Sequence, residues 1–261
     1  MGFREEFAAE ARAERPDLAL LCLYLAAEAD PALDQRAVDE AQIELDRLAG
    51  LLPYGLRGAR AWASAVTELL GGRMAFHGTP ADYDRLSSSL LHEVLRRRRG
   101  LPILLSVVWL EVARRAGAPV YGLALPGHFV VGFGDPEEGV VVDPFASGAA
   151  LGAGPAELAE GPRLAARTLD IVLRILNNVR AWASTRPEHS GVALWALDLA
   201  LLLPSHPAAL RYERARLLVE RGSYTEGAVE LEGYAVVVDA IDKEAASRIR
   251  AEAVAARARL N

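Results

Sequence analysis

A single cysteine in 261 residues excludes an internal disulfide and any cysteine-based zinc site. That sparing use fits a reducing compartment, so a cytoplasmic protein is expected. Long apolar runs are also missing. They stop at about a dozen residues, too short to cross a bilayer. The start, "MGFREEFAAEARAERPDL", is charged and amphipathic, unlike a basic tip followed by an apolar stretch, so no membrane partner is expected. Positive charge is not in excess either. A formal net charge of −6 argues against a phosphate backbone as the main partner, and no nucleic acid is expected. His77, His92, His128, His189 and His206 are scattered, with no pair one helical turn apart, so neither a metal nor a cofactor is expected. "GAGP" at 152–155 lacks the Lys and Ser/Thr of a phosphate-cradling loop.

Hydrophobic residues make up 52% and charged residues 25% of the chain, which supplies a core and argues against global disorder. Aromatics are only 7%, so Ala, Leu and Val carry most of the apolar load.

Three regions differ in pattern. Residues 1–75 read as an N-terminal helical segment. "PDLALLCLYLAAEADP" is bounded by prolines, "LDQRAVDEAQIELDRLAGLLP" spaces Val38, Ile43 and Leu48 between charges, and "LRGARAWASAVTELLGG" closes on Gly71 and Gly72. Residues 76–162 change character. "DYDRLSSSLLHEVLRRRRG" and "LPILLSVVWLEVARRAG" read as helices, the second with Pro102 in its first turn and Gly117 at its C-terminal cap. "VYGLAL", "HFVVGF" and "GVVVDP" then read as strands, the last two joined by the acidic turn "GDPEEG". Residues 163–261 return to helix with a repeat at a spacing of 34: Ala193 with Gly227, Leu197 with Leu231, Ala200 with Tyr234. Small residues at such positions let antiparallel helices approach closely. "GGRMAFHGTP" at 71–80 reads as a flexible loop over a cleft. The run Arg96–Arg99 reads as a solvated helix end, where cations oppose the partial negative charge of the C-terminus.

His128 opens one of these strands and Asp143 closes another. If the two pair antiparallel, both fall near the same end. A carboxylate on one imidazole nitrogen fixes the tautomer and orientation of a general base, so His128 and Asp143 are the candidate catalytic pair.

The stretch "GLPILLSVVWLEVARRAGAPVYGLALPGHFVVGF…VVVDPF" resembles the papain-like core of transglutaminase-like proteins. More closely it resembles the bacterial SirB-like family, in which that core precedes tetratricopeptide repeats. "SSSLLHEVLRRRRGLPILLS" and "RILNNV" at 174–179 carry the same likeness. The resemblance implies an α+β fold, mostly helical, with a small antiparallel sheet and tetratricopeptide-type hairpins. It also implies a Cys nucleophile at the start of the helix before the strands. Counted back from the turn Gly117-Ala118-Pro119, that position is Pro102, which carries no nucleophile. Ser106, one turn further in, is the one hydroxyl weighed as a substitute. Cys22, in an apolar run, reads as a buried small hydrophobe. Ser88 stands where the family shows Asn, and Gly132 where it often has a basic residue. His92, on a helix flank, reads as exposed or half-buried.

The leading expectation is a non-catalytic or weakly active module that binds a peptide or protein through the cleft or the helical repeats. The rivals are a hydrolase or acyl-transferase using His128 and Asp143 with water or Ser106, and a structural scaffold.

Overall fold

A computed structural model describes residues 2–151 and 165–259. "GAGP" and the expected end of the core at 162 lie outside them. The chain divides into two compact units, Met1–Ile175 and Leu176–Asn261.

The first unit begins with four helices: α1 (Phe3–Glu10), α2 (Leu18–Ala29), α3 (Gln35–Ala49) and α4 (Ala59–Val66). Asp17 and Asp34 cap α2 and α3 by accepting from backbone N–H groups of the first turn. In α3 the inward positions are Val38, Ala41, Leu45 and Leu48. Ile43, placed by the sequence on the apolar face, is 64% exposed, because five residues from Val38 overshoot a helical turn. Beyond α4 the helix continues through Gly71 and Gly72 as a π-turn, Thr67–Arg73.

Residues 80–97 differ from the long helix expected there. They form two 3-10 turns, Pro80–Asp84 and Leu86–Ser89, followed by the short helix α5 (Leu91–Arg97). Ser and Asp side chains, with Thr79 just before them, compete for backbone partners in this stretch and favour turns over helix. The long helix α6 (Pro102–Arg115) follows, with Pro102 as its first residue and Gly117 at φ +87° just past its end. Residues Pro102 to Ala113 of α6 are all buried. Its apolar sequence runs all the way round because α2, α3 and α5 pack on it as well as β1 and β2. The helices before residue 75 therefore share a core with α6 and the sheet.

The sheet is a four-stranded antiparallel meander: β1 (Val120–Leu125), β2 (His128–Phe133), β3 (Val140–Asp143) and β4 (Ala149–Ala150). Pro126 and Gly127 alone link β1 to β2, Gly127 at φ +67°, so Leu125 pairs with His128. Both faces are buried. Phe129, Val131 and Phe133 fill one, and Tyr121, Leu123, Val130 and Val141 cluster on the other. Helix α7 (Thr168–Ser184) contains the boundary between the units.

In the second unit α8 (Ser190–Leu202) and α9 (Ala209–Glu220) form one hairpin, and α10 (Tyr224–Asp239) and α11 (Lys243–Ala258) the next. Leu197 and Leu231, equivalent in the 34-residue repeat, are both buried. At Gly227 a Cβ would lie 2.6 Å from Val219 Cγ2 and 2.8 Å from the Ala215 carbonyl oxygen, so α9 and α10 meet there at glycine distance. Among the described residues no helix is long and apolar enough to cross a membrane, and no group of His, Cys, Asp or Glu could hold a metal ion.

Candidate functional site

His128 and Asp143 are brought together. Val131 faces Val142 across the ladder, which sets Asp143 beside Val130 and makes His128 its diagonal neighbour on one face. The Nε2 of His128 lies 2.9 Å from Asp143 Oδ2, with side chains 29% and 13% exposed respectively. The other carboxylate oxygen accepts from the Phe145 N–H at 2.9 Å, capping the turn Pro144–Ala146. Each oxygen thus has its own partner, and the carboxylate cannot swing away without uncapping that turn.

The opposite end of His128 is held as well. Arg174 Nη2 donates to the carbonyls of Leu125 at 3.0 Å and His128 at 2.8 Å, clamping the two-residue turn, and its guanidinium sits over the Phe129 ring. Burial pulls its pKa down, the mark of a guanidinium drawn partly out of water. Arg174 is the first residue of "RILNNV", so that segment of the resemblance gains a specific task.

Two aromatic rings complete the site, and neither stood out in the sequence. The Phe145 ring meets the His128 ring edge-on, with centroids 6.3 Å apart, and the Tyr83 ring packs on Phe145 at 6.1 Å. Burial, and then the charge of Asp143, push the Tyr83 hydroxyl pKa up. Tyr83 comes from the 3-10 turn of residues 80–84, some 60 positions from Asp143 in the chain, so no local pattern announces it.

Residues 71–80, expected to be a flexible loop over the cleft, make specific packing and hydrogen-bond contacts. Phe76 is buried edge-on against Trp109, Gly78 N–H donates to the Phe145 carbonyl at 3.0 Å, and His77 bridges to Arg99. Gly71 and Gly78 serve close approach. A Cβ at Gly78 would lie 2.0 Å from the Phe145 ring and 2.9 Å from the Gly100 carbonyl oxygen; one at Gly71 would lie 1.9 Å from the Ser147 carbonyl oxygen. Gly78 thus lets Gly100, just before α6, approach the ring that faces His128.

Pro102 opens α6 and is buried. The Ser106 hydroxyl is fully buried and donates to the Phe129 carbonyl at 3.2 Å, which gives it a packing task. Cys22 is buried in α2. Desolvation, reinforced by Glu111 and Asp17, pushes its thiol far above the ordinary value, so the reactive thiolate is suppressed. Ser88 is buried against Asp82, and His92 Nε2 lies 3.2 Å from Asp30. The position of Gly132 is filled from across the sheet: its ladder partner Tyr121 lays its ring where a Cβ would be, 2.3 Å away. The arginine run is not simply solvated. Arg96 pairs with Glu93, but Arg97 and Arg99 converge on buried Asp82.

A buried helix opening beside an antiparallel sheet, with His and Asp paired on adjacent strands and helical hairpins downstream, defines a transglutaminase-like core followed by tetratricopeptide-type repeats. Residues 25–162 match the model of the transglutaminase-like superfamily, more than half of the sequence, and the chain belongs to that superfamily. Residues 179–261 match a tetratricopeptide repeat model. The UPF0162 protein of Xylella fastidiosa strain Temecula1 is 31% identical over 163 residues, covering 57% of this chain and 58% of that protein. A UPF0162 protein of Pseudomonas aeruginosa is 37% identical over 121 residues, 45% of this chain and 43% of that protein. F-box only protein 21 of Mus musculus is 35% identical over 81 residues, 31% of this chain and 13% of that protein. The chain thus spans less than two thirds of the length of these relatives.

Proposed function

We propose that the chain is a transglutaminase-like module without its nucleophile, which uses the His128–Asp143 pair to hold a peptide in place of cleaving it. The observation that carries this reading is the 2.9 Å pair on a part-exposed imidazole, on a strand that packs against a helix whose first residue is Pro102. Nε2 is engaged by Asp143, which leaves Nδ1 to meet a ligand group by hydrogen bonding. The hydroxyl and thiol that would make this a hydrolase are committed elsewhere: Ser106 to the Phe129 carbonyl, Cys22 to the interior of α2.

A groove within the second unit supports protein binding by the repeats. It is lined by Arg180, Arg186, Arg216 and Arg221 together with Glu213, Glu220 and Tyr212, a mixed-charge surface on which Arg180 and Arg216 are already paired with Glu213 and Glu220.

The test is a peptide array probed with the full chain and with His128→Ala, alongside hydrolysis of p-nitrophenyl acetate. The expected result is a set of peptides bound by the parent and lost by His128→Ala at unchanged melting temperature. Ester hydrolysis by the parent that disappears in His128→Ala would overturn the non-catalytic reading in favour of the hydrolase. A His128→Ala protein that melts lower yet binds every peptide would make the pair structural.

A further inference from the structure

A second polar pocket lies on the same 3-10 turn that carries Tyr83. It has a cavity volume of about 280 Å³ and is lined by Ala81, Asp82, Arg85, Arg97 and Arg99. Three arginines share this pocket with one carboxylate, and that carboxylate is fully engaged. Asp82 is 1% exposed. Its Oδ1 accepts from Ser88 Oγ at 3.3 Å and Arg97 Nη2 at 3.4 Å. Its Oδ2 accepts from Arg99 Nη2, Thr79 N and Thr79 Oγ1, each at 2.9 Å. Arg97 is further pinned by Ser87 Oγ at 2.6 Å. Arg85 is exposed, and its side chain makes no ion pair among the described residues. Arg99 keeps its Nε–H buried without an acceptor. Asp82 therefore holds two guanidiniums side by side while neutralising the charge of only one, and Arg85 adds a third.

The geometry points to a binding site for a phosphate group in this pocket, with Asp82 as the residue that sets the spacing of Arg97 and Arg99. Chemistry selects phosphate over carboxylate. The local excess of two positive charges matches a group carrying about −1.5 to −2 at neutral pH, and three acceptor oxygens match donors on three guanidiniums. Arginine's planar fork suits this recognition better than a lysine ammonium would. The cavity is at the small end of ligand pockets, which fits a phosphate group. Residues 176–261 hold eleven basic and eleven acidic side chains, so the net charge of −6 belongs to the unit that contains this pocket. Long-range attraction of anions is therefore absent, and binding must come from short-range charge-assisted hydrogen bonds.

The phosphate can be free, or it can be carried on a side chain of a peptide, and titration of the full chain separates the two. The probes are inorganic phosphate, a tripeptide with a central phosphoserine, and the same tripeptide unphosphorylated. Saturable one-to-one binding of inorganic phosphate is expected with a dissociation constant on the order of a millimolar. Arg85→Gln is expected to weaken it roughly tenfold, since one charge-assisted hydrogen bond is lost. This variant removes an exposed side chain and leaves the Asp82 cluster intact. Phosphopeptide affinity about tenfold above that of inorganic phosphate would place the phosphate on a protein side chain, and equal affinity would place it on a small molecule. No saturable binding of either phosphate probe, or binding that Arg85→Gln does not change, overturns the site. His128→Ala is expected to leave phosphate binding unaltered, so the failure of this site and the failure of the peptide reading at His128 are separately visible.

Discussion

Asp143 shows how much one short side chain can fix. Its two oxygens serve different masters, the His128 ring and the Phe145 amide. Glu, one methylene longer, would lose the cap or the imidazole. The strongest residue-scale test of the vacated nucleophile position is to refill it. In Pro102→Cys the new thiol would stand at the first position of α6, where the helix dipole favours thiolate, in a helix that packs on the turn carrying Phe145, whose ring faces His128. We expect this thiol to be alkylated by iodoacetamide at least about tenfold faster than Cys22 in the parent, with the excess removed by His128→Ala. Cys22 supplies a low background because burial holds its thiol in the protonated form. Fast alkylation that is indifferent to His128 would mean that the imidazole is not aimed at the slot.

At the scale of elements, the segment 76–101 is tied together by one ion cluster. The turn of residues 80–84 and the end of α5 would each be loose alone. Asp82 on the first accepts from Arg97 and Arg99 at the end of the second, and Leu101 N–H donates to the Ser88 carbonyl beside them. Burial alone would raise the pKa of Asp82, but hydrogen bonds from Arg99 and Thr79 outweigh it, and the net shift is downward from the ordinary 3.8. A depressed carboxylate pKa adds stability that is fully present above the unfolded-state value and is lost as pH falls through the folded-state value. Asp82→Asn should therefore cost about 2–3 kcal/mol at pH 7, below the value for a fully buried pair because Arg99 is part-exposed. In urea titrations the gap between parent and variant should close as the pH drops below the folded pKa of Asp82. A gap that stays constant into acid would show that the carboxylate's charge is not what holds the segment. This cluster was hidden in the sequence. Periodicity and capping residues announce α2, α3, α6 and the first three strands, and strand ends announce His128 and Asp143. Residues 80–97 are apolar often enough to mimic a helix, and the pairing of Asp82 with arginines 15 and 17 positions away, which adds to the local turn preference of their Ser and Asp side chains, leaves no periodic trace. Tyr83 and Arg174 were illegible for the same reason, since their partners are fixed by the tertiary fold and not by spacing. The glycines of 71–80 misled in the opposite direction. Composition alone cannot tell a glycine that moves from one pressed against a ring.

Across the whole molecule, stability should divide where the chain does. The first unit has its own core around α6, with Trp109, Phe76, Phe129 and Phe133 fully buried. The second contains a cluster in which Ala215, Ala228, Ala235, Ala253 and Ala256 pack around Leu231 and Ile249, so this part of the unit depends on helices approaching closely. Gly227 is its most sensitive point. An added methyl meets not only the mobile Val219 side chain but also the Ala215 carbonyl, and backbone cannot rotate away. Gly227→Ala gains helix propensity of about 1 kcal/mol. Against this it must force α9 and α10 apart, and overpacking of this kind costs about 1–3 kcal/mol. The balance should be a net loss confined to one unit. Amide hydrogen exchange measured peptide by peptide reads this directly: faster exchange is expected through α9, α10 and α11, with unchanged protection in α2, α6 and β2. Exchange that rises equally in both units would mean that the chain opens as one cooperative body, and the division at Ile175 would then describe packing without describing stability.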